Sequence, residues 1–247
     1  MTTAQRFAGT KAGTLALVLA ACLGANASTE LEEFDKALTL TADPKNGARL
    51  YRNCVACHGG EGWGDASGAY PQIAGQLPSV IIKQLADIRA GNRDNPLMRA
   101  FSSRRALGDA QSIADVAAYI SQLPMTPNNG LAPGGDLVHG EAIYKRDCAD
   151  CHGDHGQGDQ AEHIPAIYGQ HYQYLVRQFH WIRNGRRKNA DPEMIEQIER
   201  FSARDISDVM AYTASLEPPQ EKLAAPGWTN PDFPPQWRGW RPDTGQR

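Results

Sequence analysis

Cys54-Val-Ala-Cys57-His58 recurs as Cys148-Ala-Asp-Cys151-His152, and this doubled C-x-x-C-H limits what the chain can become more than any other feature. The motif reads as a site of covalent haem attachment, with the cysteines bonding the porphyrin and the adjoining histidine turning inward onto iron. A polypeptide carrying it twice is expected to hold two haem c groups and to wrap a shell around each. Cys54, Cys57, Cys148 and Cys151 are then the attachment points, and His58 and His152 the proximal ligands. Two rival readings of the cysteines fare badly. Zinc ribbons keep their C-x-x-C elements far closer than the 94 positions that separate Cys54 from Cys148. A thioredoxin-like redox pair wants a βαβ setting, and no such pattern is present.

Much else repeats at the same spacing. Gly75-Gln76 meets Gly169-Gln170, Gln84 meets Gln178, Gly91 meets Gly185, Arg93 meets Arg187 and Asn95 meets Asn189. Further on, Asp115-Val-Ala-Ala-Tyr119 faces Asp208-Val-Met-Ala-Tyr212 with the offset changed by one residue. So consistent a repeat predicts two tandem copies of one unit. Each is expected to be all-α. Amphipathic segments precede the motifs over Gly47–Asn53 and Glu141–Asp147, with Asp136 and Gly140 suiting a turn into the second. Glycine-rich turns follow each motif. Helices are then predicted over Pro78–Ala90 and Tyr172–Asn184, and over Ala110–Leu123 and Ala203–Leu216, the last pair ending just short of prolines. The domain organisation is thus a leader at 1–27, a first haem unit at 28–124, a Pro/Gly/Asn-rich linker at 125–135, a second haem unit at 136–217 and a tail at 218–247.

The leader has the marks of an export signal: Arg6 and Lys11, an apolar stretch through Leu15–Leu19 to Ala21, and Ala25-Asn26-Ala27 as a cleavage site before Ser28. Its apolar run is shorter than the roughly 20 residues a membrane span needs, so a retained anchor is the lesser reading. Leu19-Ala20-Ala21-Cys22 also resembles a lipobox, which would place a lipid on Cys22. Soluble release is favoured, and either route delivers a periplasmic protein. Four of the five cysteines belong to the haem motifs, which leaves no pair for a structural disulfide. Removing the leader takes two of 25 cationic side chains and none of 28 acidic ones, moving the net charge from −3 to −5. A chain of that charge lacks the basic face of a nucleic-acid binder.

Haem iron in a carrier takes a second axial ligand, and a methionine there raises the potential. The chain has five methionines including the initiator. Met98 and Met125 are the distal candidates in the first unit, Met194 and Met210 in the second. Met98 and Met194 are preferred because both follow a proline in equivalent positions, in what reads as an irregular stretch after a helix. Met210 looks like core filler. A bis-histidine second haem through His163 or His180 stays open, while His139, His155 and His171 read as surface or loop residues. Arg93 and Arg187 are candidates for contacts with haem propionates, since a guanidinium fork suits a carboxylate. Exposed helix-end arginines are the alternative. Tyr119 and Tyr212 are expected to pack the last helix of each unit.

With its two C-x-x-C-H-G units, paired Gly-x-Gly loops, Gly-Gln pairs, Gly91-x-Arg93-x-Asn95 through Met98, and Asp-Val-x-Ala-Tyr helices, the chain resembles the cytochrome c4 family of dihaem electron carriers over roughly Ala42 to Leu216. The resemblance implies two tandem class I cytochrome c domains in pseudo-twofold packing, propionates near their interface, and iron held by His58/Met98 and His152/Met194. It implies periplasmic electron shuttling from a quinol-oxidising complex to a terminal oxidase or reductase, with no enzyme activity of its own. An alternative is the dihaem subunit of a dehydrogenase, such as a flavocytochrome sulfide dehydrogenase; a haem enzyme such as a thiosulfate dehydrogenase is the lesser one. Three departures stand out. Leu97 occupies a position where the family often has a second methionine, and two extra residues precede Met194. The tail places Trp228, Trp237 and Trp240 among prolines, which excludes a long helix there. Such a tail either docks on a partner or wraps its own domains, and wrapping is the expectation.

Overall fold

The computed structural model describes residues 32–234. The leader with Cys22, and Trp237 and Trp240 of the tail, lie outside the described residues.

Polar caps set out the helices one after another. Asp43, Asn95 and Asp109 in the first half, and Asp136, Asp191 and Ser202 in the second, each accept hydrogen bonds from backbone N–H groups of the turn that follows. The first unit comprises α1 (32–39), α2 (Pro44–Tyr51), α3 (Val55–His58), α4 (Pro78–Ala90), α5 (Pro96–Ser102) and α6 (Ala110–Gln122). The second comprises α7 (Leu137–Asp147), α8 (Ala149–His152), α9 (Tyr172–Arg183), α10 (Pro192–Glu199) and α11 (Ala203–Ser215). Among the described residues extended pairing is limited to two isolated bridges, Met125 with Leu223 and Asp159 with Ile164. The all-α expectation holds.

In each unit the helix ahead of the haem motif, α2 or α7, crosses the last at close range. A Cβ on Gly47 of α2 would lie 2.1 Å from the Asp115 carbonyl oxygen of α6, and one on Gly140 of α7 2.2 Å from that of Asp208 on α11. Bare backbone is therefore required at both crossings. Gly140 lies inside α7, which begins at Leu137, and not in a turn ahead of it; α2 likewise starts earlier than expected, at Pro44. Asp115 and Asp208 secure the crossings. Buried Asp115 accepts from Asp43 N and Asn46 Nδ2 at 2.8 and 2.7 Å, and Asp208 from Asp136 N at 3.0 Å while meeting His139 Nδ1 at 2.9 Å. Tyr119 packs on Tyr51 and Tyr212 on Tyr144, with ring centroids 5.4 Å apart in both pairs.

The two units join through a reciprocal contact. The Gln76 side chain pairs with the backbone of Ala166, donating at 2.8 Å and accepting at 3.0 Å. Gln170, its equivalent, pairs in the same way with the backbone of Gln72 at 2.8 and 3.0 Å. Positions 72 and 166 are themselves equivalent, so the joint has twofold character. The 125–135 segment is part of this joint. Met125 and Thr126 are buried, Thr126 N donates to Gln72 Oε1, and Asn129 Nδ2 reaches the carbonyls of Gln170 and Ala214.

After α11 the chain returns to the first unit. Met125 N donates to Lys222 O and Ala224 N to Met125 O, both at 2.8 Å. Trp228 lies against Trp63 at 5.9 Å, and Asn230 Nδ2 bonds the Gly60 carbonyl and the Tyr119 hydroxyl. Phe233 is buried against Tyr51 and Tyr119. The tail as far as Pro234 therefore completes the core of the unit that lies farthest from it in sequence.

Candidate functional site

The four-residue helices α3 and α8 carry the motif. Cys54 and Cys57 are three residues apart, so one turn puts both sulfurs on the same side, and His58 lies one position on. His58 is buried, and burial pushes its pKa down despite the Pro71 contact. Burial does the same to His152. Each ring meets a proline carbonyl through Nδ1: His58 with Pro71 O at 3.1 Å, His152 with Pro165 O at 3.1 Å. A carbonyl only accepts, so Nδ1 carries the proton and Nε2 keeps its lone pair. A neutral imidazole held by its other nitrogen is the form that ligates a metal.

Glycine makes this contact possible. Gly64 and Gly158 have φ of 69° and 68°, in the left-handed region that a side chain disfavours. A Cβ on Gly64 would sit 2.4 Å from the Pro71 carbonyl oxygen, and one on Gly158 2.6 Å from the Pro165 carbonyl carbon. Their N–H groups donate to the carbonyls of His58 and His152 at 2.9 and 2.8 Å. Tyr51 and Tyr144 add hydroxyl bonds to the carbonyls of Gly59 and Gly153 at 2.8 and 2.7 Å.

The preferred methionines occupy matching places that differ from expectation in form. Met98 and Met194 stand in the first turns of α5 and α10, each after an N1 proline, with backbone N–H groups donated to Asn95 and Asp191 at 3.1 and 3.2 Å. The stretches are short helices, not irregular loops. Both methionines are half-buried. Met125 is committed elsewhere: it is buried at the joint, its sulfur 2.9 Å from the position a Gly75 Cβ would take and its methyl 3.1 Å from that of Gly169. Met210 is buried in the second core with Ile143, Tyr144 and Phe179. His180 is exposed, and His163 lies edge-on to Phe34 at 5.1 Å.

Arg93 and Arg187 come together across the joint. Arg93 donates to Gln84 Oε1 at 2.7 Å, to Gln178 Oε1 at 3.0 Å and to the Tyr174 hydroxyl at 2.9 Å. Arg187 donates to Gln84 Oε1 at 3.1 Å and to Gln178 Oε1 at 3.3 Å. Arg93 is buried, not an exposed helix-end arginine. Burial first and Arg93 second push Arg187 down to about 10. A guanidinium keeps its proton in proteins, so two of them buried side by side favour a negatively charged neighbour. Asp87, held by Lys83 at 2.6 Å and Asn189 at 2.7 Å, is the nearby carboxylate. Arg93 Nε, Arg177 Nε and Gln178 Nε2 are buried without hydrogen-bond partners among the described residues. Orphan donors beside paired guanidinium groups fit the carboxylates of haem side chains, and the lone pairs on His58 and His152 fit iron. The residues present suit two haem groups.

Two residue pairs and one single residue gained a role only in the structure. The prolines at 71 and 165 and the glutamines at 84 and 178 share the repeat offset, which was a usable signal. His171 had none, for it has no counterpart in the first unit. Expected at the surface, it is buried, accepting from Gly130 N at 2.9 Å through Nδ1 and meeting Trp63 O at 2.7 Å through Nε2. It fastens the linker and the first unit to the start of α9.

Known proteins share the tandem arrangement of the two units. The family model described as cytochrome c matches residues 44–124 and again 137–217. Cytochrome c4 from Azotobacter vinelandii is 31% identical over 181 residues, covering 66% of this chain and 84% of the relative. The thiosulfate dehydrogenase electron acceptor of Stutzerimonas stutzeri is 30% identical over 199 residues, covering 72% and 90%. The crystal structure of reduced recombinant cytochrome c4 from Pseudomonas stutzeri superposes with a TM-score of 0.62 at 28% identity, covering 72% of this chain and all of that one.

Proposed function

Because the chain belongs to the cytochrome c family in its tandem, cytochrome c4 form, a dihaem electron-transfer protein, we propose how its residues share the work. Cys54 and Cys57 would hold one haem c, with His58 and Met98 supplying its iron ligands. Cys148 and Cys151 would hold the other, with His152 and Met194. Haem c, when bound, takes up and releases one electron at its iron.

The protein's part is to fix ligands, charge and spacing. Pro71 and Pro165 orient the proximal imidazoles through Nδ1, and the thioethers of Met98 and Met194 favour the reduced iron. Arg93 and Arg187 neutralise propionates where the units meet. The glutamine pairs of the joint hold the two attachment sites at a set separation. The matched histidine–proline contacts, 3.1 Å in both units, carry the reading. Met98→Leu and Met194→Leu are each expected to remove the Met–iron charge-transfer band of one haem and lower that haem's potential. Unchanged spectra in both variants would refute the ligand set.

The same reading has the protein exported by residues 1–27 to the periplasm and working as a carrier without enzyme chemistry, between a quinol-oxidising complex and a terminal oxidase or reductase. Among the described residues no helix is long and apolar enough to cross a membrane. Service as electron acceptor to a dehydrogenase is favoured by one observation, the 30% identity to a protein of that name. Stoichiometric co-purification with a catalytic subunit would establish it. Removing 218–247 is a poor test of the tail's part, since Phe233 belongs to the core; truncation after Pro234 is the suitable variant.

A further inference from the structure

The distal helices α5 and α10 are equivalent in fold and opposite in surface. Leu97 and Phe101 are exposed on α5 at 52% and 40%, large values for side chains of their size. They are four residues apart and share one side of the helix, beside the turn that bears Met98. Their counterparts on α10 are Glu193 and Gln197. Between positions 94 and 105 the first unit has three arginines, Arg99, Arg104 and Arg105, against one aspartate. The matching span 190–201 has Asp191, Glu193, Glu196 and Glu199 against Arg200. Arg99 and Arg105 are exposed. Arg99 meets Asp94 at 3.8 Å, and Arg104 reaches Glu33 at 3.1 Å, a carboxylate already met by Arg89 at 2.7 Å; with Arg105 added, the segment keeps a net cationic excess.

An apolar centre with a charged rim of one sign is the make-up of a transient protein interface: the centre excludes water and the rim steers encounter. The chain as a whole is acidic, net −3, so a cationic rim confined to one unit has to be placed locally. We propose that the exposed Leu97 and Phe101 of α5, carried by a segment with the cationic excess of Arg99, Arg104 and Arg105, are the docking site for an acidic redox protein that exchanges electrons with the first haem. This rests on the proposed ligation of that haem by Met98, which sets its distal side against α5. The acidic α10 face repels such a partner, so exchange is confined to one end of the molecule.

The test follows oxidation of the fully reduced holoprotein by plastocyanin, an acidic blue-copper protein, in stopped flow. The wild-type rate is expected to fall several-fold as salt rises to the level where the Debye length is about 8 Å. Arg99→Glu with Arg105→Glu, and Leu97→Ser with Phe101→Ser, are each expected to slow first-haem oxidation about tenfold at low salt. Glu196→Gln with Glu199→Gln on α10 serves as the control and should not slow it. Wild-type rates in both α5 variants, an equal loss in the α10 variant, or a rate that rises with salt would overturn the proposal. So would a changed Met–iron band in the Leu97/Phe101 variant, which would assign those side chains to the haem pocket. A wild-type first haem without that band would instead defeat the Met98 ligation, a failure separate from unchanged rates.

Discussion

At the scale of single residues, hydrogen bonding here decides protonation, and His171 shows it most directly. Its Nδ1 accepts from Gly130 N–H while Nε2 faces the Trp63 carbonyl, so the ring is neutral with the proton on Nε2. Burial holds its pKa down against the raising effects of Trp63 and Asp65. A histidine lowered in the folded state leaves stability intact above its unfolded value, about 6.5. As pH falls below that, the unfolded chain gains a proton the folded chain refuses, and stability drops by up to about 1.4 kcal/mol per pH unit. Urea unfolding of the holoprotein should therefore show a falling midpoint between pH 6.5 and 5, and His171→Gln should flatten that slope. Equal slopes would remove His171 as the cause. Asp208 belongs to a lower window. Its carboxyl is held below the usual range by the Asp136 N–H and by His139, so its contribution is present above about 3.9 and lost only below it.

At the scale of elements, the close crossings of α2 with α6 and of α7 with α11 depend on Gly47 and Gly140. Alanine is the better helix former by about 1 kcal/mol, yet its methyl would collide with a main-chain carbonyl at 2.1 or 2.2 Å. The clash should win, and Gly47→Ala and Gly140→Ala are each expected to cost about 2 kcal/mol net, following the usual penalty for overpacking. Gly134→Ala, with nothing within 4 Å of the added methyl, should be close to neutral in the same thermal unfolding series. A harmless Gly140→Ala would show that the crossing relaxes. These crossings also show what the sequence could tell. The helices α4, α6, α9 and α11 were legible almost to the residue, because each is long and bounded by a proline, glycine or aspartate. The short α5 and α10 were not, since seven or eight residues opened by a proline give no period to recognise. The site divides in the same way. Its covalent and proximal residues stand in one pentapeptide, whereas the Pro71 carbonyl, the Gln84–Arg187 bond and the buried place of His171 depend on how distant segments meet.

At the scale of the whole molecule, the first unit is finished by residues from the end of the chain. Phe233→Ala removes a buried ring between Tyr51 and Tyr119, and a loss of about 3–5 kcal/mol is expected. The loss should fall on the first unit, read as earlier release of its Met–iron band during urea titration. Truncation after Pro234 should leave both transitions in place. If Phe233→Ala weakened both units equally, the tail would be acting through the joint instead. That joint, with Gln76 on Ala166 and Gln170 on Gln72, has the form of an isologous dimer interface, in which each partner offers the other the same patch. Two copies of one half would carry such an interface at the cost of remaining identical. Fused in one polypeptide, they are free to diverge, and Leu97 against Glu193 records that freedom on the distal helices. The covalent link thus turns a symmetric pair into a molecule with a front and a back.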